Sequence, residues 1–150
     1  MSIEELLEAW RVNNAINVEL LGACADEDLE LKPGKGKTIR SNFTHMVLVR
    51  RMWIEEGNAK EARSIPKLDW KSASRKEIED CLALSSDLML ELFRKREVRA
   101  KPNRWSNLKF FAYCIAHEAH HRSQIEIALR INGREPDDTF LYGLWEWSKK

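Results

Sequence analysis

The sequence has no excess of charge of either sign, which limits the partners that it could bind. Its 25 basic and 24 acidic residues give a formal net charge of +1 at pH 7. Proteins that bind nucleic acid or anionic membrane surfaces usually carry a clear basic excess, because phosphate groups attract lysine and arginine. We therefore predict that neither nucleic acid nor a membrane is a partner of this protein.

Cysteine is also scarce, and its spacing excludes two classes of small protein. Cys24, Cys81 and Cys114 are an odd number of cysteines and include no CxxC pair. Disulfide-stapled secreted domains and cysteine-based zinc ribbons both depend on paired cysteines. The pattern therefore favours a reducing compartment.

Long hydrophobic runs are missing as well. No stretch approaches the roughly 18 apolar residues that a membrane-spanning helix needs. The first ten residues, MSIEELLEAW, are acidic and amphipathic rather than basic and then apolar, so they do not resemble a signal peptide. These features predict a cytoplasmic protein.

What the sequence does contain is helical periodicity. With 150 residues and 43% hydrophobic content, the chain is typical of a single globular domain, residues 1–150. Apolar residues recur at helical spacing in four stretches, and no stretch alternates as a strand does. The predicted helices cover residues 2–24, Thr38 or Ser41 to 57, Ser72 or Ser74 to 96, and Ser106 or Asn107 to about 132.

Four such helices predict an all-α four-helix bundle. The long polar linker between the second and third helices predicts a crossover connection. A short C-terminal segment carrying Phe140, Leu144, Trp145 and Trp147 is expected to fold back over the bundle. The glycine-rich stretch KPGKGKT is interpreted as a solvated turn, because it lacks the spacing of a phosphate loop and follows a helix instead of a strand.

Histidine is rare, and three of the four histidines lie in AHEAHHRSQ, residues 116–124. His117 and His121 are one helical turn apart and share a face, whereas His120 points about 60° to one side of His117. Buried imidazoles must satisfy both a donor and an acceptor, and a pair that faces a bundle interior can do so by sharing a metal ion. His117 and His121 therefore form a candidate ligand pair.

His45, in the second predicted helix, is the candidate third ligand, because bundle metal sites use side chains from facing helices. Three neutral ligands leave a coordination position open, as in catalytic sites. Two other interpretations stay open at this stage: the histidines hold a structural metal, or they pack in the core without one.

Five further residues are candidates for the site. Glu118 and Gln124 are candidate catalytic residues, because both lie close to the ligands on the fourth helix; Glu118 is also positioned for an ion pair with Arg50. Asn14, Cys114 and Trp53 are candidates for the pocket wall, although buried cysteine most often behaves as a small hydrophobe.

These motifs resemble the DinB-like (DinB/YfiT) superfamily of four-helix bundles. The resemblance covers essentially the whole chain and is carried by Trp10 and Asn14 in the first helix, by GKTIRSNFTHMVLVRRMW with His45, and by HEAHHRSQIEIALRINGREP. Many relatives have glycine where this chain has Ser123, a change that does not affect a ligand.

The resemblance implies that His45, His117 and His121 bind one divalent metal ion, with nickel or zinc expected, and that the chain forms a homodimer. Relatives include transferases that use low-molecular-weight thiols and a thiol-dependent isomerase. We therefore expect a metal-dependent enzyme that transfers a small thiol to an electrophile in a detoxification or stress role. The alternatives are a metal-dependent hydrolase of a small amide or ester, with Glu118 as base, and a non-catalytic metal-binding or dimeric interaction protein.

Overall fold

The computed structural model describes residues 1–101 and 103–150, and the described residues form helices and no β-strand. The helices are α1 Ile3–Gly22, α2 Ile39–Gly57, α3 Ala59–Arg63, α4 Arg75–Glu97, α5 Asn107–Ile131 and α6 Asp138–Gly143. Short 3-10 turns cover Asp26–Glu30 and Trp147–Lys149. The all-α prediction is confirmed. Within the described ranges, no helix is both long and apolar enough to cross a bilayer.

Each of the four long helices begins at a serine or threonine cap. The side chains of Ser2, Thr38, Ser74 and Ser106 accept hydrogen bonds from backbone N–H groups in the first turns of α1, α2, α4 and α5. A cap of this kind typically stabilises a helix by about 1 kcal/mol. The caps therefore decide where the helices start, and they select one residue from each pair that the sequence left open.

The four long helices pack around a shared apolar core. α1 lies mainly against α4, and α2 lies between α4 and α5. Trp10 is fully buried at the centre, where its ring meets Phe93 edge to face at 5.3 Å and its Nε1 donates to Ser86 Oγ at 3.1 Å. This packing brings the inward faces of α2 and α5 together, and those faces carry the histidines.

Two short helices lie outside the four predicted ones. α3 occupies part of the linker between α2 and α4 and is capped by Asn58, and α6 is capped by Asp137. Stretches of five or six residues are too short to show helical periodicity, so their caps were the available signal. The linker therefore contains a helix that periodicity did not reveal.

The C-terminal segment folds back over the bundle as predicted, but only part of it is buried. Phe140 and Leu144 pack against Val12 and Ile16 of α1. Trp145 and Trp147 stay exposed, with 77% and 42% of their surface accessible. The segment therefore covers the bundle through Phe140 and Leu144 and not through these two indoles.

Candidate metal centre

Helices α2 and α5 bring His45, His117 and His121 together into what we call the histidine cluster. The Nε2 atom of His117 lies 3.4 Å from Nε2 of His45 and 3.2 Å from Nε2 of His121. One ligand atom from each imidazole lies within 4.8 Å of the other two. The structure thus joins the three histidines that the sequence had singled out, across two helices.

The imidazoles of the cluster favour the neutral form. Burial is the main cause that lowers the pKa of each of the three histidines, and the other imidazoles add to it for His45 and His121. For His121 the pKa falls to about 4. Neutral imidazoles have a lone pair to donate, which is the form that metal ions require. The cluster therefore fits a divalent metal ion through both its geometry and its protonation state.

Asn42 fixes the orientation of His121. Its Oδ1 lies 2.8 Å from His121 Nδ1, while its Nδ2 donates to the Thr38 carbonyl at 3.0 Å. Because the amide nitrogen is already used as a donor, the oxygen faces the imidazole and accepts the Nδ1 proton of His121. The lone pair of His121 is consequently on Nε2, which faces the rest of the cluster.

Sequence reasoning missed Asn42, although a signal was present. Asn42 precedes His45 by three residues and so lies on the same side of α2. Amides and carboxylates that hold the second nitrogen of a ligating histidine are regular companions of metal sites. A search for such a residue one turn from a candidate ligand would have found it.

The two sides of the cluster differ. On one side Tyr113 stacks on His117, with ring centroids 6.2 Å apart and an interplanar angle of 19°, and Trp53 meets Tyr113 edge to face. On the other side His45 lines a cavity of about 480 Å³. His45 and His117 are half-buried, whereas only 7% of the His121 surface is accessible. A ligand can therefore reach the cluster from the His45 side.

Comparison with known proteins agrees with this architecture. The model of the DinB family matches residues 1–148. The chain belongs to the DinB family. No curated protein and no solved structure shows significant similarity to it. DinB membership and the three-histidine group together fit a metal-binding protein.

His120 lies outside the cluster in this DinB protein. It is exposed on α5, and its ring meets that of His121 edge to face at a centroid distance of 5.1 Å. His120 is not among the three residues whose ligand atoms converge. It offers a natural control for the role of its neighbours.

Glu118 belongs to a second polar cluster, which we call the carboxylate network: Glu118, Arg50, Asn13, Asn17 and Arg122. Arg50 donates from Nε to Glu118 Oε1 at 2.6 Å and from Nη2 to Oε2 at 2.9 Å. Asn13 and Asn17 each donate to Oε2 at 2.7 Å, and their own oxygens accept from Arg122. The ion pair between Glu118 and Arg50 therefore exists as predicted.

This network leaves Glu118 unsuited to proton transfer. Burial would raise the pKa of its carboxyl, but the charge and hydrogen bonds of Arg50 and the two asparagine amides lower that pKa below its ordinary value. Both oxygens already accept hydrogen bonds from protein groups. We assign Glu118 to the structure of the core instead of to catalysis.

The remaining candidates take less central positions. Asn14 is half-buried and accepts a hydrogen bond from Arg50 Nη1 at 2.9 Å, so it supports the carboxylate network. Cys114 and Trp53 line, together with His117, a cavity of about 10 Å³, which has room for a single water molecule at most. Gln124 is half-buried on α5. None of these four lines the 480 Å³ cavity.

Cys114 has the properties of a packed hydrophobe. It is buried, and burial, with a further contribution from Glu118, raises the pKa of its thiol to about 12. A thiol with such a pKa is almost entirely protonated at neutral pH and reacts poorly. This environment is consistent with the expectation that Cys114 packs as a small core residue.

Proposed function

We propose that this DinB protein is a metal-dependent enzyme that transfers a low-molecular-weight thiol to an electrophilic small molecule. The observation that carries the proposal is the convergence of three neutral imidazole donors beside a cavity that reaches His45. Three protein ligands leave room in the coordination sphere for a substrate atom, whereas a structural site is usually closed by a fourth protein ligand.

The chain would hold one divalent ion through His45, His117 and His121, with nickel and zinc as the expected metals. When bound, such an ion lowers the pKa of a thiol that coordinates it. Asn42 holds the tautomer of His121, and the ring of Tyr113 stacks on that of His117. In the transfer, the thiol gives its proton to solvent, a sulfur–carbon bond forms, and the leaving group of the electrophile departs with its electron pair.

Two other functions receive less support. Hydrolysis requires a base close to the cluster, and Glu118, the candidate for that role, is occupied by Arg50 and two asparagines. A purely structural metal would be enclosed by protein, whereas the His45 side of the cluster borders a cavity. The geometry therefore favours transfer chemistry over both alternatives.

The proposal includes a cellular setting and an oligomeric state. Three buried free cysteines suit a reducing compartment, and we propose a cytoplasmic role in detoxification or stress. We also propose a homodimer, for which exposed aromatic residues at the C-terminal end, Tyr142 at 73% and Trp145 at 77%, are suitable contacts. Analytical ultracentrifugation of the native chain tests the dimer directly, and a monomer at micromolar concentration would contradict it.

Elemental analysis tests the metal site. We expect about one equivalent of nickel or zinc per chain in tag-free protein purified without chelator. His121→Ala should lose the metal, and His120→Ala, the matched exposed neighbour, should keep it. Absence of metal from the native chain, even after incubation with both ions, would overturn the proposal.

A second measurement tests the reaction. The metal-loaded protein is mixed with a small thiol and 1-chloro-2,4-dinitrobenzene, and formation of the thioether is followed by absorbance. We expect the rate above background to disappear in His121→Ala and to persist in His120→Ala. Metal binding without any acceleration, across a panel of thiols and electrophiles, would leave a metal-binding protein and remove the transferase assignment.

A further inference from the structure

The cavity beside His45 has a composition that identifies the kind of ligand it suits. It measures about 480 Å³ and lies between α2 and the segment that follows α3. This volume falls within the range of roughly 300–1,000 Å³ that is usual for small-molecule sites. His45 lines the cavity and belongs to the histidine cluster, so a ligand in the cavity lies next to that cluster.

Charge in the cavity is of one sign. Lys37, Arg51 and Lys67 line it, and no aspartate or glutamate does. Across residues 1–101 and 103–150, none of these three cations takes part in a salt bridge with a carboxylate of the chain. The cavity therefore has positive charge that the protein itself does not neutralise.

One of the cations is held in place. Arg51 Nε donates to the Ala62 carbonyl of α3 at 3.1 Å, and the residue is half-buried. Lys37 and His45 line the same cavity, so Lys37 lies on the side of the cavity wall that reaches the histidine cluster. An anionic group placed between these cations and His45 would meet positive charge on the cavity wall.

The rest of the cavity wall is apolar. Val47 and Leu48 come from α2, and Leu68 and Trp70 come from the segment after α3. Leu48 and Trp70 keep 56% and 57% of their surface accessible, and both lie on the wall of this cavity. A hydrocarbon or aromatic body that lies against this wall would cover apolar surface that the fold leaves in water.

We propose that the cavity binds a small organic acid, whose carboxylate is neutralised by Lys37 and Lys67 and whose apolar body lies against Leu48 and Trp70. The proposal rests on the proposed function, because it names the class of substrate that would approach His45. An amphipathic carboxylic acid that carries either the thiol or the electrophilic carbon meets these requirements.

Direct binding to the metal-free chain of 150 residues tests this proposal. The probe is naphthalene-2-carboxylate, and its matched controls are the neutral carboxamide and the cationic naphthalene-2-methylamine, which share the same aromatic body. Binding is followed by backbone amide chemical shifts at low salt. We expect the carboxylate to shift the amides of Val47, Leu48 and Leu68, the carboxamide to bind at least fivefold more weakly, and the amine to give no saturable binding.

Charge variants sharpen the test. Lys37→Gln and Lys67→Gln should each weaken carboxylate binding by about two- to fivefold, the range expected for removing one partly exposed charge contact. Lys60→Gln removes an exposed lysine of α3 that does not line the cavity, and it should bind as the native chain does. Binding of the carboxamide should be the same in all three variants.

Several results would overturn the proposal. The proposal is wrong if the carboxylate does not bind at all, or if the carboxylate and the carboxamide bind equally well. It is also wrong if the shifted amides lie away from the cavity, or if Lys37→Gln and Lys67→Gln bind the carboxylate with unchanged affinity. The measurement uses no metal and no thiol, so its outcome is independent of the transferase assay. A chain that binds the carboxylate but not metal would overturn the proposed function and retain this site.

Discussion

Helix α5 carries two polar clusters that begin at neighbouring residues and differ in how their polar atoms are used. In the carboxylate network, Glu118 is 2% exposed, and its two oxygens accept hydrogen bonds from Arg50, Asn13 and Asn17. In the histidine cluster, His117 and its two partners point their Nε2 atoms at one another. The first cluster is complete with protein groups alone. The second has a geometry that could hold a metal ion.

The difference shows that burial alone does not identify a functional site. Glu118 is more deeply buried than His121, yet every strong interaction that it needs comes from within the chain. A neutral imidazole carries one N–H group and one lone pair. Where three imidazoles face one another, they have too few N–H groups to supply every lone pair with a hydrogen bond. Unused acceptors that converge on one point mark the site more reliably than burial or charge does.

The largest effect is expected when the carboxylate network is broken. Glu118→Gln leaves the Arg50 charge buried without its partner, which should lower the free energy of unfolding by about 3–5 kcal/mol. Urea denaturation of metal-free protein measures this loss. Glu55→Gln, at an exposed position of α2, is the control and should change the stability little.

The same variant separates the two clusters. Folded Glu118→Gln should still bind about one metal ion per chain, because its side chain contacts α1 and α2 instead of the histidine cluster. If the folded Glu118→Gln variant bound no metal, the division between a structural network and a metal site would be wrong.

A smaller effect is expected at Asn42, which supports the histidine cluster. Asn42→Ala removes the acceptor for His121 Nδ1–H and should weaken metal affinity by about 10- to 100-fold. Asn42→Asp keeps an oxygen acceptor at that position and should retain most of the affinity. Competition titration with a chromophoric chelator measures both variants. Equal affinity of Asn42→Ala and the native chain would remove Asn42 from the site.

The two clusters should also differ in their response to pH. The pKa of His121 is about 4 in the folded chain, below its ordinary value of 6.5, and the pKa values of His45 and His117 are lowered too. Between about pH 4 and pH 6.5 the unfolded chain binds more protons than the folded chain, so lowering the pH favours unfolding. The stability of metal-free protein should be full above about pH 6.5 and fall as the pH drops towards 4.

Urea midpoints at pH 7.5 and pH 5 measure this dependence. His121→Gln removes the group with the largest shift and should reduce the difference between the two midpoints, while His120→Gln should reduce it less, because His120 only adds to the effect of burial on the pKa of His121. The carboxyl of Glu118, whose pKa is lowered, should lose its contribution only at more acidic pH. A stability that is flat from pH 7.5 to 5 would contradict neutral, buried histidines.

The smallest effect is expected at Cys114, which lies on α5 close to both clusters. Cys114→Ala removes one buried sulfur atom and should cost about 1 kcal/mol of stability while metal content stays at one ion per chain. Its thiol, with a pKa of about 12, should also resist alkylation by iodoacetamide in the native state. Loss of metal in Cys114→Ala would identify it as a fourth ligand.

Local features of the sequence were sufficient to predict much of the fold and the ligand set. Capping residues such as Thr38 and Ser74 indicate where a helix begins through a pattern of about four residues. The spacing of four residues between His117 and His121 predicts that they lie on one face of the helix. The prediction failed for features that depend on several segments at once. Asn14 was chosen for the pocket, whereas the structure uses Asn13 and Asn17 against Glu118 and gives Asn14 to Arg50.

The sequence by itself determined an all-α bundle, the starts of its four long helices to within a few residues, and the shared face of His117 and His121, because caps, periodicity and i, i+4 spacing act over one or two turns. Only the packing of α2 against α5 decided that Asn42 holds His121 and that Arg50 pairs with Glu118. The position of the segment after α3 beside α2 decided that Lys37 and Lys67 share a cavity with His45. Such partners come from residues far apart in the chain, and their contacts depend on how the helices rotate and approach one another in the folded state.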